Sequence, residues 1–183
     1  AAAAARTEPV TLRGVTFSDE LGGFVLLGGS GSGTPADPFV VLERIATNAP
    51  TVLVIRGVDL EFGNPVRTNH FVGFAMTKVV ENATGDTWNG YRLELEKRLG
   101  HSSPRLDGLS FGQEYPPVQR SFSSDRFAVG TVLDEPYDGI AFGGGAVAPG
   151  DRVAFDIIIT DNAPKGVFYL VQRHEQSISR ARW

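Results

Sequence analysis

The sequence predicts an all-β protein, an antiparallel β-sandwich of roughly ten short strands with Gly/Pro-rich turns and little helix. Its 183 residues include 22 Gly, 11 Pro and 12 Phe but one Met, a balance that favours strands and turns over helices. Several segments alternate apolar and polar residues, and turn residues separate them. We expect one sandwich domain over 18–172, an N-terminal arm with the first strand over 1–17, and a C-terminal tail over 173–183.

The clearest alternation lies between residues 70 and 99, which we interpret as two strands joined as a hairpin through 82–87. In the first arm one face carries Phe74, Met76, Lys78 and Val80. In the second arm one face carries Tyr91, Leu93 and Leu95. The joint is rich in Asn, Gly and Asp, which favour a chain reversal. A helix over 91–99 is the alternative, because Leu, Glu, Lys and Arg are good helix formers.

The remaining elements follow in chain order. Residues 10–17 predict a first strand in which Gly14 marks a bulge. A short apolar run at 24–27 ends in the Gly-rich segment 28–33. Residues 51–56 are apolar almost throughout, as in a central strand buried on both faces. Further strands are expected at 39–45, 127–133, 152–160 and 167–172, and residues 100–117 form an unusually long connection.

Charge and composition exclude several functions. The net charge is −4, so no broad basic surface is expected and nucleic acid is not a predicted partner. The absence of Cys excludes disulfides and Cys-ligated metals. No apolar run approaches the ~20 residues of a membrane-spanning helix. The Ala-rich start, residues 1–5, resembles the mature end of an exported chain, which predicts a periplasmic or cell-surface location.

Three segments occur in a recognisable order: TKVVENATGDTW at 77–88, LDGLSF at 106–111 and IAFGGGAVAPGD at 140–151. Together they resemble the secreted, exosortase-sorted (PEP-CTERM-type) surface proteins of bacteria, over about residues 71–172. This resemblance implies a secreted β-sandwich and carries over no catalytic residue. The chain has no Pro-Glu-Pro signal with a following membrane helix and basic cluster, so anchoring by an exosortase is not expected.

No motif for a cofactor or a nucleophile is found. The Gly-rich segment 28–33 lacks both the dinucleotide-binding and the P-loop pattern, and a strand follows it where a helix would be needed. The three histidines, His70, His101 and His174, are far apart in sequence. A small secreted hydrolase would need one of them to meet a Ser and an acidic residue in space. We retain this function as the second alternative.

Two ligand classes have candidate residues. Calcium binds six to eight oxygens, which adjacent acidic loops can supply, and the candidate ligands are Asp134, Glu135, Asp138 and Asp151. Exposed aromatic rings offer flat surfaces to sugars, and Trp88 and Tyr115 are the candidates for glycan binding. A carbohydrate-binding module is therefore the first alternative function. Asn82-Ala83-Thr84 also fits a glycosylation sequon, which we interpret as a turn.

The function that these patterns favour is an exported, non-enzymatic structural or accessory subunit of a bacterial surface or periplasmic assembly. Its partners would be protein subunits, either further copies of this chain or other chains. Docking is expected through the terminal arms and the edges of the sheets, with Val10, Leu12 and Trp183 as partner-binding residues.

Overall fold

A computed structural model describes residues 7–112 and 121–176, and it confirms the all-β, sandwich-like fold. The only helical piece among these residues is a short 3-10 turn, Arg105–Asp107. The thirteen strands are β1 (Val10–Leu12), β2 (Val15–Ser18), β3 (Phe24–Ser30), β4 (Phe39–Ile45), β5 (Thr51–Arg56), β6 (Val72–Asn82), β7 (Trp88–Glu96), β8 (Leu109–Phe111), β9 (Phe122–Ser124), β10 (Phe127–Val132), β11 (Asp138–Gly145), β12 (Arg152–Asp161) and β13 (Val167–Gln176).

The strands form two sheets that enclose one core. The first sheet is antiparallel and has the order β1-β2-β5-β13-β7-β11-β10. The second has the order β3-β4-β6-β12-β8, and β9 also pairs with β12. Within this second sheet β4 and β6 run parallel, a pairing that the antiparallel prediction did not include. They can run parallel because the chain crosses to the other sheet between them to form β5.

The segment predicted as a hairpin consists of two strands, but they do not pair with each other. β6 belongs to the second sheet and β7 to the first, so the joint at 82–87 is an arch that crosses the core. Both strands keep the predicted inward faces, on which Phe74, Met76, Tyr91 and Leu93 are buried. The helical alternative for 91–99 is wrong, because β7 continues as strand to Glu96.

The predicted bulge at Gly14 is a tight turn. β1 and β2 pair antiparallel with Leu12 opposite Val15, which leaves Arg13 and Gly14 as the two loop residues. Both have positive φ, 50° and 84°. Two consecutive residues with positive φ form the type of hairpin turn that matches the twist of its strands. The segment is therefore two short strands in place of one interrupted strand.

The two ends of the described chain are built into the first sheet. Val10 and Leu12 lie on the edge strand β1, half-buried, and pack against the core. Phe17 on β2 is fully buried. The domain boundary predicted at residue 172 falls inside β13, which ends at Gln176. Trp183 lies outside the described residues, as does residue 115.

Candidate functional site

The predicted calcium ligands are not gathered into one site. Among the described residues, no group of three or more acidic or His side chains could hold a metal ion. The Asp134 carbonyl accepts a hydrogen bond from the Tyr137 amide, which closes a turn. Asp138 begins β11 and is buried, whereas Asp151 lies in the turn before β12. Asp134 and Glu135 thus share one turn, Asp138 belongs to the strand that follows it, and Asp151 lies in a different turn.

Trp88 cannot bind a glycan in this fold, because its side chain is fully buried. Its ring stacks on His174 at a centroid distance of 4.5 Å and lies 5.8 Å from the ring of Tyr91. The prediction of an exposed platform at this residue is therefore wrong. Aromatic residues in strands are often core residues, and a period-two pattern does not show which side of a sheet faces solvent. The other candidate, Tyr115, lies outside the described residues.

The sequence around Trp88 has a structural role in the arch between β6 and β7. The Asn82 amide donates to the carbonyls of Asp86, at 2.9 Å, and Val147, at 3.0 Å. Its own oxygen accepts from the amide and the hydroxyl of Thr84. The Thr84 hydroxyl in turn accepts from the indole N–H of Trp88 at 3.1 Å. The Asn-x-Thr-x-x-x-Trp spacing thus satisfies the buried polar groups of the arch, and the fully buried Asn82 is not presented for glycosylation.

No contact between described residues joins two of the three histidines. His70 hydrogen-bonds to Thr68 through Nδ1, and partial burial lowers its pKa. His101 lies exposed in a turn opposite Arg98. His174 is bonded through Nε2 to the Thr47 carbonyl. Among the described residues none of the three histidines hydrogen-bonds to a Ser or to an acidic side chain, so the geometry shows no hydrolytic triad there.

A chain of buried polar groups crosses the core, and the sequence prediction missed it. Lys78 on β6 donates to Oε1 of Glu43 on β4. Oε2 of the same carboxyl accepts from the Gln172 side-chain amide at 2.6 Å, and the Tyr91 hydroxyl donates to Gln172 Oε1 at 2.5 Å. Lys78 and Glu43 belong to the second sheet, whereas Gln172 and Tyr91 belong to the first. The network therefore links the two sheets through side chains alone.

All four side chains of this network are shielded from water. The side chains of Lys78 and Glu43 are 0% exposed, and Gln172 and Tyr91 are each 1% exposed. Burial lowers the pKa of the Lys78 ammonium, and Glu43 opposes that shift. Burial also raises the pKa of the Tyr91 hydroxyl well above its ordinary value. The network thus holds an amine and a carboxyl group in an environment that disfavours charge.

The sequence contains a signal for this network. On β4 the inward residues are Phe39, Val41, Glu43 and Ile45, and on β6 they include Met76, Lys78 and Val80. In each strand one charged residue occupies an otherwise apolar face. A lone charge on such a face is costly to bury unless it meets a partner. One strand with a buried acidic residue and another with a buried basic residue together indicate a buried ion pair. The pattern does not show that the two strands are neighbours.

The second feature with functional potential is the outer edge of β10. Among the described strands this one forms a hydrogen-bonded ladder only with β11, although β9 also contacts it. Its six residues, FAVGTV, carry no charge, and residues 128–131 are exposed, with Val129 56% exposed. The Leu133 amide donates to the Gly139 carbonyl, so the backbone groups of Leu133 point toward β11. Because this direction alternates along an antiparallel strand, the backbone N–H and C=O groups of Ala128, Gly130 and Val132 point away from β11, at the free edge.

An uncharged exposed edge is unusual, because proteins normally protect edge strands with charges, prolines, bulges or covering segments. At the opposite end of the first sheet, β1 is only three residues long and packs next to β3 of the other sheet. There the side chains of Val10 and Leu12 approach Gly29. β10 is contacted by β9, whose Phe122 ring lies against Gly130, but no described strand pairs with its outer backbone groups, so this edge is the candidate docking surface.

In the part of the chain that the structure describes, no helix is long and apolar enough to span a bilayer. Comparisons with protein-family models, with curated proteins and with solved structures found no match. The functional interpretation therefore depends on the geometry of the buried network and of the β10 edge.

Proposed function

We propose that this chain is an exported, non-enzymatic subunit of a bacterial surface or periplasmic assembly, and that it docks by pairing its β10 edge with a neighbouring subunit. The observation that carries the proposal is the uncharged, exposed edge of β10. An added strand would satisfy the outward backbone groups of Ala128, Gly130 and Val132. The resemblance of the turns to secreted surface proteins supports the location.

The neighbour that we propose is a second copy of the chain. Two β10 strands related by a twofold axis would pair antiparallel and join two sheets into one. The absence of charge on β10 removes the like-charge repulsion that twofold pairing imposes on a charged edge. No observation on the described residues favours the glycan-binding or hydrolase alternatives, because Trp88 is buried and no His hydrogen-bonds to a Ser or an acidic side chain.

The test compares variants at one position of the edge by light scattering and native mass spectrometry of the full chain. Ala128→Pro removes an outward N–H, a change that an edge strand tolerates, whereas Ala128→Ser keeps it. We expect the native chain and Ala128→Ser to form particles of at least twice the 19.6 kDa chain mass, and Ala128→Pro to be monomeric. Circular dichroism checks that each variant is folded.

A second substitution tests the edge through charge. Val129→Lys places an ammonium on the exposed edge in each copy and should weaken association, more so at low salt. A native chain that stays monomeric at every concentration would contradict the proposal. Association that survives both Ala128→Pro and Val129→Lys would also contradict it, because the contact would then lie elsewhere.

A further inference from the structure

Lys78 and Glu43 form an ion pair inside the core. Each side chain is fully buried, and each comes from the inward face of a central strand of the second sheet. In the register, Lys78 lies opposite Val41 on β4 and Phe155 on β12, both of which are 0% exposed. Burying an ammonium and a carboxylate costs several kcal/mol per ion, which their attraction repays only with good geometry and further hydrogen bonds.

The same surroundings favour a reaction between the two groups. Transfer of one proton from the ammonium to the carboxylate gives an amine and a carboxylic acid, neither of which brings charge into the core. Desolvation lowers the pKa of Lys78 and so increases the share of the nucleophilic amine. The fold holds this amine in contact with the Glu43 carboxyl. Holding two groups in contact raises the rate of their reaction as a very high concentration of one of them would.

We propose that Lys78 and Glu43 condense into an intramolecular amide bond that links β6 to β4 covalently. The Lys78 Nζ lone pair attacks Cδ of the protonated Glu43 carboxyl, and a C–N bond forms. One C–O bond then breaks, and its oxygen leaves as water with a proton that Nζ gives up. The ammonium and carboxylate together thus become a neutral amide and one water, with no oxidant, cofactor or second enzyme required.

Gln172 and Tyr91 act as positioning residues for this step. The Gln172 side-chain amide donates to Oε2 of Glu43 at 2.6 Å, so it fixes the plane of the carboxyl and polarises the C–O bond. The Tyr91 hydroxyl holds Gln172 by its oxygen, at 2.5 Å, and thereby sets which end of the amide faces Glu43. Both residues come from the first sheet, so the carboxyl is oriented only when the two sheets have closed.

The test is the intact mass of the native chain, measured under denaturing conditions. The amide predicts a mass lower by one water, about 18 Da, than the sequence of the expressed chain requires. Lys78→Met, which removes the nucleophile, should have its full calculated mass. Lys97→Met is the matched control, because Lys97 also contacts a carboxylate, that of Asp161 at 2.9 Å, and its removal should leave the water loss in place.

Tryptic peptides locate the bond. Glu43 lies in the peptide 14–44, and a modified Lys78 resists cleavage and leaves the peptide 68–92 intact. We expect one branched species that contains both peptides and whose fragments join residues 43 and 78. The full calculated mass in the native chain would overturn the proposal. Loss of ammonia, about 17 Da, with a branch to residue 172 would also overturn it, because Gln172 would then be the acceptor.

Discussion

Replacing Asn82 by Ala tests whether the polar network of the arch holds the two sheets together. The Asn82 side chain makes four hydrogen bonds, to the carbonyls of Asp86 and Val147 and to the amide and hydroxyl of Thr84. Without it the Thr84 amide loses its acceptor in a buried position. The Thr84 hydroxyl proton, released from Asn82, is then free to go to the Asp86 carbonyl 3.2 Å away, and the Val147 carbonyl keeps the Trp88 amide as a donor.

The magnitude follows from these contacts. A buried amide without a partner costs about 1–3 kcal/mol, and each of the other lost hydrogen bonds contributes about 0.5–1.5 kcal/mol. Because the four bonds share partners, they are not additive, and we expect Asn82→Ala to lower the free energy of unfolding by about 3–5 kcal/mol. Native domains are stable by about 5–15 kcal/mol, so this loss is a large fraction of the total.

The assay is equilibrium unfolding in guanidinium chloride, followed by tryptophan fluorescence. Asn48→Ala is the matched control, because Asn48 makes an exposed bond to the Asp86 carboxylate of the same arch, at 3.1 Å. We expect the control to change stability by no more than about 0.5 kcal/mol. If Asn82→Ala cost no more than Asn48→Ala, the arch network would not stabilise the fold and the reasoning would be refuted.

Three further predictions concern other parts of the fold. Tyr91→Phe leaves Gln172 Oε1 without its donor and should cost about 1–3 kcal/mol in the same assay, whereas an unchanged midpoint would argue against the network. Burial raises the pKa of Glu94 above its ordinary 4.5, so the folded state holds this proton more tightly and stability falls as the pH rises past that value. Glu94→Gln should reduce this part of the pH dependence, and an identical pH profile would contradict it. Gly31→Ala should destabilise strongly, because φ is 92° and a Cβ would lie 1.9 Å from the Pro38 carbonyl oxygen; a thermal midpoint equal to that of the native chain would refute this.

The local parts of the fold could be predicted because they depend on short-range patterns. Alternation placed Met76 and Val80 on one inward face and Leu93 and Leu95 on another, and the structure buries all four. The choice between hairpin and arch could not be made in this way. Both arrangements require a turn and one apolar face per strand, and they differ only in which distant strands pair with each arm.

In the candidate site, too, local features could be predicted from the sequence and long-range partners could not. The alternation predicts Lys78 on the face that the core buries. Its partner Glu43 lies on β4, and between β4 and β6 the chain crosses to the first sheet and back, so the pattern of either strand alone does not identify the pair. Trp88 is predicted as a glycan platform because aromatic rings offer flat surfaces to sugars, but the sequence pattern does not show on which side of the sheet the ring lies, and the structure buries it. The predicted calcium ligands shared only acidity and a position near turns, and the fold did not bring them together among the described residues.

The strand order of the first sheet also determines when this fold can form during synthesis. β13 lies between β5 and β7, although it is the last of the thirteen described strands in sequence. Until residues 167–176 have left the ribosome, the facing edges of both neighbours lack their partner. Because β4, β5, β6 and β7 alternate between the sheets, the second sheet cannot close its core earlier. The central pairings of the first sheet are therefore non-local and form late, and pairing of this kind is typical of slow folding.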